Sequence, residues 1–471
     1  MASSKRCSLS VEQEAEAQAL AQRIRELAEE EFLQIARLLV SKPDQEIFGE
    51  TEFQVRDIVL KAGAKALEEH LRQKKNGYHG CSVDCPTCQQ AADFQGYRPK
   101  APLSLLGEVT VQRAYYYCHR CGGGLFPWDS EVGLTPKRLT PGAERAASLA
   151  GLLTDSFEEA AEKVLPELSG LRLSETTVQR TTEAAGERMG AYLDQGKVLG
   201  GPTPWNWHKD AQGTTCAYVS VDATGVRQQA SGGGSAEGRM PYVGMVYNPV
   251  PELPKGSPHA PPATAKMQAR YVAGLYSLDE LSVVMRRQAG QVGMNRAERW
   301  LALTDGGNGL EPFVQKAFPR VEVVILDFWH VSDHLGELAR TLHPHDEERA
   351  KEQKGQWCHV LKHEGGGRLI RLLEALPLPA RRPALRVKHA EVLGYLKNNV
   401  SRMDYPAYLA KGWLIGSGSV ESACKTVVAQ RLKLAGMRWR EPGTDAVCHL
   451  RALYKSERSQ WELFWRRNIN C

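Results

Sequence analysis

Between residues 11 and 40 apolar side chains recur at helical spacing, with Ile24, Leu27 and Ala28 followed by Ile35, Leu38 and Leu39, and charges fill the opposite face. This periodicity predicts one amphipathic helix. Residues 43–52 interrupt it, and Phe53, Val55, Ile58, Val59, Ala62, Ala66, Leu67 and Leu71 predict a second. Acidic and basic side chains nearly balance there, which suits a packing or dimerising hairpin better than a nucleic-acid surface. The pattern then changes. Residues 106–117, Leu-Gly-Glu-Val-Thr-Val-Gln-Arg-Ala-Tyr-Tyr-Tyr, alternate and follow an extended piece with a proline, so a β-hairpin is predicted.

Helical spacing returns at Thr140-Pro141, an N-cap with proline in the first turn, and continues to about residue 190. Within it lie a helix at 156–165, a turn at 166–173 containing Gly170, and a helix capped by Ser174 that carries Thr177, Gln179 and Arg180. Helix, glycine turn and polar-faced helix fit a helix-turn-helix in which those three residues touch DNA, and fit an ordinary helical hairpin equally well. The Gly/Pro/Trp stretch at 200–207 reads as a linker. Three strands follow at 214–222, 240–250 and 269–276, with a Gly-rich turn at 231–238, then a helix (278–290), a strand (300–304), a helix (310–318) and the strand Val321–Leu326. Three strands, helix, strand, helix, strand is the element order of an RNase H-like sheet. Residues 335–400 are charged and helical, and a Gly-Ser turn precedes a last helical region from Ser419.

Composition narrows the possibilities. With 471 residues, 42% hydrophobic and 24% charged, the chain is neither disordered nor collagenous, and its length calls for two to four compact units. The first thirty residues hold no apolar signal core, and the longest apolar runs fall far short of the ~20 residues that span a bilayer, so a soluble cytoplasmic protein without a membrane partner is expected. In such a compartment clustered cysteines point to metal. Cys85-Pro-Thr-Cys88 and Cys118-His-Arg-Cys121 are two knuckles joined by the predicted hairpin, the pattern of a zinc ribbon with a closed structural Zn²⁺ site. Cys81 and His79 are spare donors expected just outside it. The remaining cysteines, Cys7, Cys216, Cys358, Cys424, Cys448 and Cys471, are scattered and carry no assigned role.

Three carboxylates occupy informative places: Asp222 closes the first strand, Asp305 closes the fourth, and Glu421 opens the helix after the insertion. In an RNase H-like sheet the first and fourth strands are neighbours, so the two aspartates would meet and a glutamate on the last helix can face them. Such a cluster repels itself unless a cation neutralises it, and an all-oxygen donor set suits Mg²⁺ or Mn²⁺, two per site, for phosphodiester displacement. Gly306 and Gly307 would let backbone approach a ligand. Asp327 is a rival for the second acid.

These residues lie in motifs that resemble bacterial insertion-sequence DDE transposases of the ISKra type: Asp222-Ala-Thr-Gly225, Leu303-Thr-Asp305-Gly, Leu326-Asp-Phe-Trp-His330-Val-Ser-Asp-His334-Leu, and Gly416-Ser-Gly-Ser-Val-Glu421-Ser-Ala-Cys-Lys425. Arg431-Leu-Lys-Leu-Ala-Gly-Met-Arg-Trp439, the ribbon with its Leu106-Gly-Glu-Val hairpin, and Pro127-Trp-Asp129 extend the similarity over residues 53–455. The resemblance implies an RNase H-like core split by an all-helical insertion before the glutamate, distantly similar to the Mutator and hAT groups. It assigns the triad to Asp222, Asp305 and Glu421, and a supporting or DNA-contacting role to Asp327 and His330. The family usually has glycine where this chain has Ala223.

The implied fold class is multidomain α/β: a helical hairpin (1–76), a zinc ribbon (77–135), a helical HTH-like region (136–198), the first part of the core (199–334), an all-helical insertion (335–412), and the Glu helix with a basic tail (413–471). The implied partner is double-stranded DNA at transposon ends and targets, worked on by a homo-oligomer. A non-catalytic DNA-binding protein and an RNase H-like nuclease or resolvase are the competing readings. The formal charge of +5 is matched by residues 431–467 alone, where nine basic side chains oppose four acidic ones. Lys425, Arg431, Lys433, Arg438 and Arg440, interleaved with Trp439, Trp461 and Trp465, are the expected phosphate-tracking surface.

Overall fold

The computed structural model describes residues 9–74, 76–134, 138–307, 309–416 and 418–466. Cys7, Cys471, Arg467, Ser417 and the expected boundary at 135–136 lie outside them. The chain divides into two compact units, residues 1–182 and 183–467, each with its own packing.

The first unit begins with α1 (Val11–Leu27), α2 (Glu29–Ser41) and α3 (Glu50–Arg72). Ser10 caps α1, accepting from the Gln13 amide while the Gln13 side chain returns to the Ser10 amide. The single helix expected over 11–40 is broken at Ala28, whose φ of −99° and ψ of 5° leave the helical region. Ala28 is buried at this joint, and Glu31 in the next turn meets Lys65 of α3 at 2.7 Å.

The hairpin follows: β1 (Ser82–Asp84), β2 (Ala91–Lys100), β5 (Val111–Cys118) and β6 (Gly123–Leu125) form an antiparallel sheet in that order. The two-residue strands β3 (Leu103–Ser104) and β4 (Gly107–Glu108) make a small tongue at its tip. Ala92, Ala114 and Tyr116 form the ribbon's core with Cys85 and Cys118, and Phe94 packs edge-on against Tyr116. Helix α4 (Pro127–Glu131) is tied down by Asp129, which accepts from Lys100 of β2 and Arg113 of β5.

Next come α5 (Pro141–Leu153), capped by Thr140 as the sequence suggests, then α6 (Phe157–Glu159), a π-turn (Ala160–Val164) and α7 (Leu165–Ser169). Gly170 ends α7 with φ +71°, a left-handed turn that glycine enters without a Cβ penalty. Helix α8 (Glu175–Asp194) starts after it, with the Ser174 hydroxyl accepting from the Thr177 amide at 3.3 Å.

The second unit is built on β7 (Cys216–Ala223), β10 (Tyr242–Asn248), β11 (Gln268–Gly274), β12 (Arg299–Thr304) and β13 (Val321–Leu326), in the order β11-β10-β7-β12-β13. β10 runs antiparallel to both β7 and β11, whereas β7, β12 and β13 are parallel. The supposed Gly-rich turn is partly a side hairpin of β8 (Val226–Gln229) and β9 (Ser235–Arg239). Helices α9 (Leu278–Gln291) and α10 (Leu310–Ala317) make the crossovers. The helical insertion supplies α11 (Phe328–Leu342), α12 (Glu347–Glu364), α13 (Gly366–Glu374), α14 (Pro383–Asn398) and α15 (Tyr405–Ala410). The chain returns through α16 (Gly418–Ala423), a π-turn (Cys424–Ala429), α17 (Gln430–Leu432), α18 (Glu441–Lys455) and α19 (Arg458–Arg466). α18 lies on β11 and carries a buried run from Ala446 to Leu453.

The 200–207 stretch is not a free linker. Trp205 and Trp207 are buried, and the Trp207 indole donates to the Gly293 carbonyl at 3.0 Å, because two indoles offer far more apolar area than Gly and Pro offer flexibility. Among the described residues no helix is long and apolar enough to cross a membrane.

Candidate functional sites

The first site forms where the ribbon's two turns meet. In each, the amide four residues after the leading cysteine donates to its carbonyl: Gln89 to Cys85 at 2.8 Å and Gly122 to Cys118 at 2.9 Å. Each turn closes on a residue of positive φ, Gln89 at 58° and Gly122 at 69°. These matching turns face their cysteines inward. Cys85 Sγ lies 3.6 Å from Cys121 Sγ, Cys88 Sγ lies 3.5 Å from Cys118 Sγ, and all four sulfurs fall within 4.8 Å of one another. The edge of a tetrahedron with Zn–S bonds of ~2.3 Å is about 3.8 Å, so the group can hold a metal such as zinc. Backbone N–H groups of Cys88 and Thr87 hold the Cys85 thiol low, at about 6, which favours the thiolate that binds metal. His79 is engaged elsewhere, 2.5 Å from Glu131, and Cys81 lies outside the group.

The second site lies at the carboxyl ends of the parallel strands. Ser220 of β7 pairs with Leu303 of β12, so Asp222 and Asp305, each two residues further on, stand at the same level. Thr304 pairs with Leu326, which brings Asp327 alongside. Asp222 accepts from the Ala223 amide at 2.7 Å and Asp305 from the Gly307 amide at 2.8 Å. Burial pushes the Asp222 carboxyl above its ordinary range, and the negative charge of Asp305 adds to the rise. Asp327 is buried and spent as the N-cap of α11, accepting from the Trp329 amide at 3.0 Å. His330 and His334 meet each other edge-on, and both contact Tyr395 of α14, His334 at 4.4 Å between ring centroids.

Glu421 sits on α16, which packs on β7 and β10, but its side chain is 64% exposed and 3.9 Å from Lys425. Among the described residues the three acids do not draw their oxygens together as the four sulfurs do.

The insertion props the strand ends. Tyr395 donates to the Asp305 carbonyl at 3.0 Å, and the buried Arg402 donates to the Val324 carbonyl and the Thr304 hydroxyl. Gly306 has φ +81°, and a Cβ there would lie 2.7 Å from Leu326 and from the Tyr395 hydroxyl. Its left-handed backbone and the nearness of Tyr395 both call for glycine. Cys424, without a role in the sequence reading, is buried, and burial together with the Asp222 charge drives its thiol far up.

The basic surface needs correction. Arg431 is 1% exposed, 5.1 Å over the Trp439 ring, so it belongs to the core and cannot track a phosphate. Trp439 and Trp461 are buried as well, which removes them as base-stacking platforms. Lys425 and Arg438 are exposed, and Lys433 reaches Thr224 Oγ1 at 3.0 Å, two residues beyond Asp222. In the first unit Thr177 and Gln179 are half-buried and Arg180 is exposed. Thr177 and Arg180 line a cavity of about 450 Å³ instead of a flat face. No protein-family model matches this sequence, and no curated protein matches it either.

Proposed function

We propose that the chain is a DNA transposase. In this reading the second unit is an RNase H-like core, Asp222, Asp305 and Glu421 hold Mg²⁺ or Mn²⁺, and a homo-oligomer acts on double-stranded DNA at the ends of a mobile element. The observation that carries the reading is the level placement of Asp222 and Asp305 at the carboxyl ends of adjacent parallel strands, in a sheet ordered β11-β10-β7-β12-β13. Ligands of open α/β sheets bind at such strand ends. The donor set fits a hard cation, because the aspartates offer oxygen only, and burial together with the Asp305 charge disfavours the Asp222 carboxylate, which positive charge would stabilise.

Divalent cations bound there supply charge neutralisation and activate an oxygen nucleophile. The chain's own residues fix the geometry: backbone amides orient both aspartates, and Tyr395 anchors the Asp305 loop. Lys425 and Lys433 bring positive charge beside Glu421 and Thr224, where a phosphate would lie. Cleavage joins a water oxygen to phosphorus as the bond to the 3′-oxygen breaks, and the proton ends on the released 3′-hydroxyl. In strand transfer that hydroxyl attacks a target phosphodiester and displaces its 3′-oxygen. Neither step needs a covalent protein intermediate. The ribbon's four cysteines are proposed to hold structural Zn²⁺.

The test is Mn²⁺-dependent nicking of the DNA that flanks the gene. Asp222→Ala is expected to abolish nicking and keep DNA binding; undiminished nicking would overturn the assignment. One observation favours the second reading, a non-cutting DNA-binding protein: Glu421 is exposed and paired with Lys425. Binding without nicking by the unaltered chain would decide for it.

A further inference from the structure

The three helices that open the first unit bury little of their apolar surface. Among residues 9–74 only Ala28, Glu31, Thr51, Ala64 and Glu69 are buried, so no large apolar side chain there is fully withdrawn from water. Helices of this length draw most of their stability from packing an apolar face. α2 shows most plainly what is missing. Ala28 and its neighbours on one side of α2, Glu31, Ile35 and Leu38, are spaced three and four apart and form the inward stripe; the first two are buried, the others half-buried, and the helix packs on α3. A second apolar stripe runs along the outer side through Phe32, Leu33, Ala36, Leu39 and Val40. All of these are exposed, Phe32 at 57% and Val40 at 89%. A helix that is apolar on both sides calls for a partner on each.

The spacing of the outer stripe identifies that partner. Its large side chains stand four and three residues before Ala36 and three and four after it, a pattern that reads the same in both chain directions. Two copies packed antiparallel about a twofold axis at Ala36 would set Phe32 and Leu33 of each against Leu39 and Val40 of the other, with the two small alanines where the helices cross. A foreign partner places no such demand on the spacing. The charges agree. Glu29 and Glu30 open the helix and Lys42 follows it, so antiparallel packing lays acid beside base and sets the helix dipoles in opposition. Parallel packing would lay the acids side by side.

We propose that the outer face of α2 is a self-association surface that joins two copies of this chain about a twofold axis at Ala36. It goes beyond the homo-oligomer of the proposed reading by naming the contact. The pairing needs no DNA, so it holds whether or not the acids of the second unit cut.

The experiment is sedimentation velocity on the full chain, without DNA or added divalent metal, at about 1–50 µM, where a small two-helix contact should show a reversible dimer. Ala36 is exposed, so a charge there costs the monomer no burial. Ala36→Glu and Ala36→Lys each set like charges across the axis, and each alone should raise the dimer dissociation constant about tenfold or more. Mixed in equal amounts they should recover the dimer, because residue 36 of one copy then meets the opposite charge. Gln34→Glu, exposed and about 200° round the helix from Ala36, should leave the dimer as it is. Circular dichroism checks that every variant keeps its helix content. A chain that stays monomeric throughout overturns the proposal, even if it binds lipid vesicles or another protein. So does a dimer that Ala36→Glu leaves intact, or a Glu/Lys mixture that stays monomeric. Asp222→Ala is expected to dimerise as the unaltered chain does, so failure here and failure of the nicking test are separable.

Discussion

The four cysteines and the three acids are both candidate metal centres, yet one is closed and the other open. The cysteines come from two short turns on one hairpin, and backbone hydrogen bonds inside each turn already bring the sulfurs within 4.8 Å. The acids come from two strands and a distant helix, and each added carboxylate repels the others. Burial above all, with the Asp305 charge adding to it, raises the proton affinity of Asp222, while Glu421 turns to Lys425 and solvent. A local site of polarisable ligands can be preorganised by its own backbone. A site of like charges assembled across the fold relies on the cation to finish it.

The largest expected effect comes from breaking the closed site. Cys118→Ser, or stripping metal with a chelator, should unfold the ribbon, since structural zinc contributes on the order of 10 kcal/mol in zinc-finger peptides. Elemental analysis should find one zinc per chain, lost in the variant, while the melting transition of residues 183–467 stays in place. Removing the prop behind the open site comes next. Arg402→Met should cost about 3 kcal/mol by denaturant unfolding, because it strips buried donors from the Thr304 hydroxyl and the Val324 carbonyl. A cost under about 1 kcal/mol would show that the insertion does not buttress the strand ends.

A smaller effect depends on pH. His449 of α18 is buried, its ring 2.8 Å from the Tyr276 hydroxyl, and burial lowers its pKa against the opposing pull of Asp445 and Asp194. The unfolded chain, with a pKa of about 6.5, then binds the proton more readily than the folded one. His449 therefore contributes stability that is complete above that value and is lost as pH falls toward the depressed folded pKa. Melting at pH 7.5 and 5.5 should show a larger acid loss for the unaltered chain than for His449→Gln. The smallest effect is at Lys425. Its exposed pair with Glu421 should be worth less than about 0.5 kcal/mol, so Lys425→Ala should leave the melting temperature alone. If Glu421 swings to complete the acid site, that variant should bind Mn²⁺ at least as tightly as the unaltered chain by calorimetry.

Much of this arrangement was legible because strands announce themselves locally. Alternation and apolar runs located β7, β12 and β13, and the acids follow directly from where those runs stop. The cysteine knuckles were equally plain, since spacing within a turn is a local property. Tyr395 and Arg402 were not, because they meet Asp305 and Thr304 from 90 and 98 residues away, and no periodicity encodes such a meeting. Arg431 was misplaced for a different reason. Charge alone marked it as a surface residue, whereas the fold buries its guanidinium over the Trp439 ring. In the 200–207 stretch, glycine and proline signalled flexibility while the two indoles decided the packing.

The cover on β11 has a consequence for how the protein is made. α18 lies on that strand, and the Leu275 amide just beyond it donates to Asp445, 170 residues later in the chain. At about 5–20 residues per second, a ribosome leaves that flank of the sheet bare for roughly 10–35 seconds. During this interval the apolar flank of the sheet is open to other nascent chains. A chain stopped before residue 441 would keep that bare flank permanently, which makes premature termination a route to aggregates.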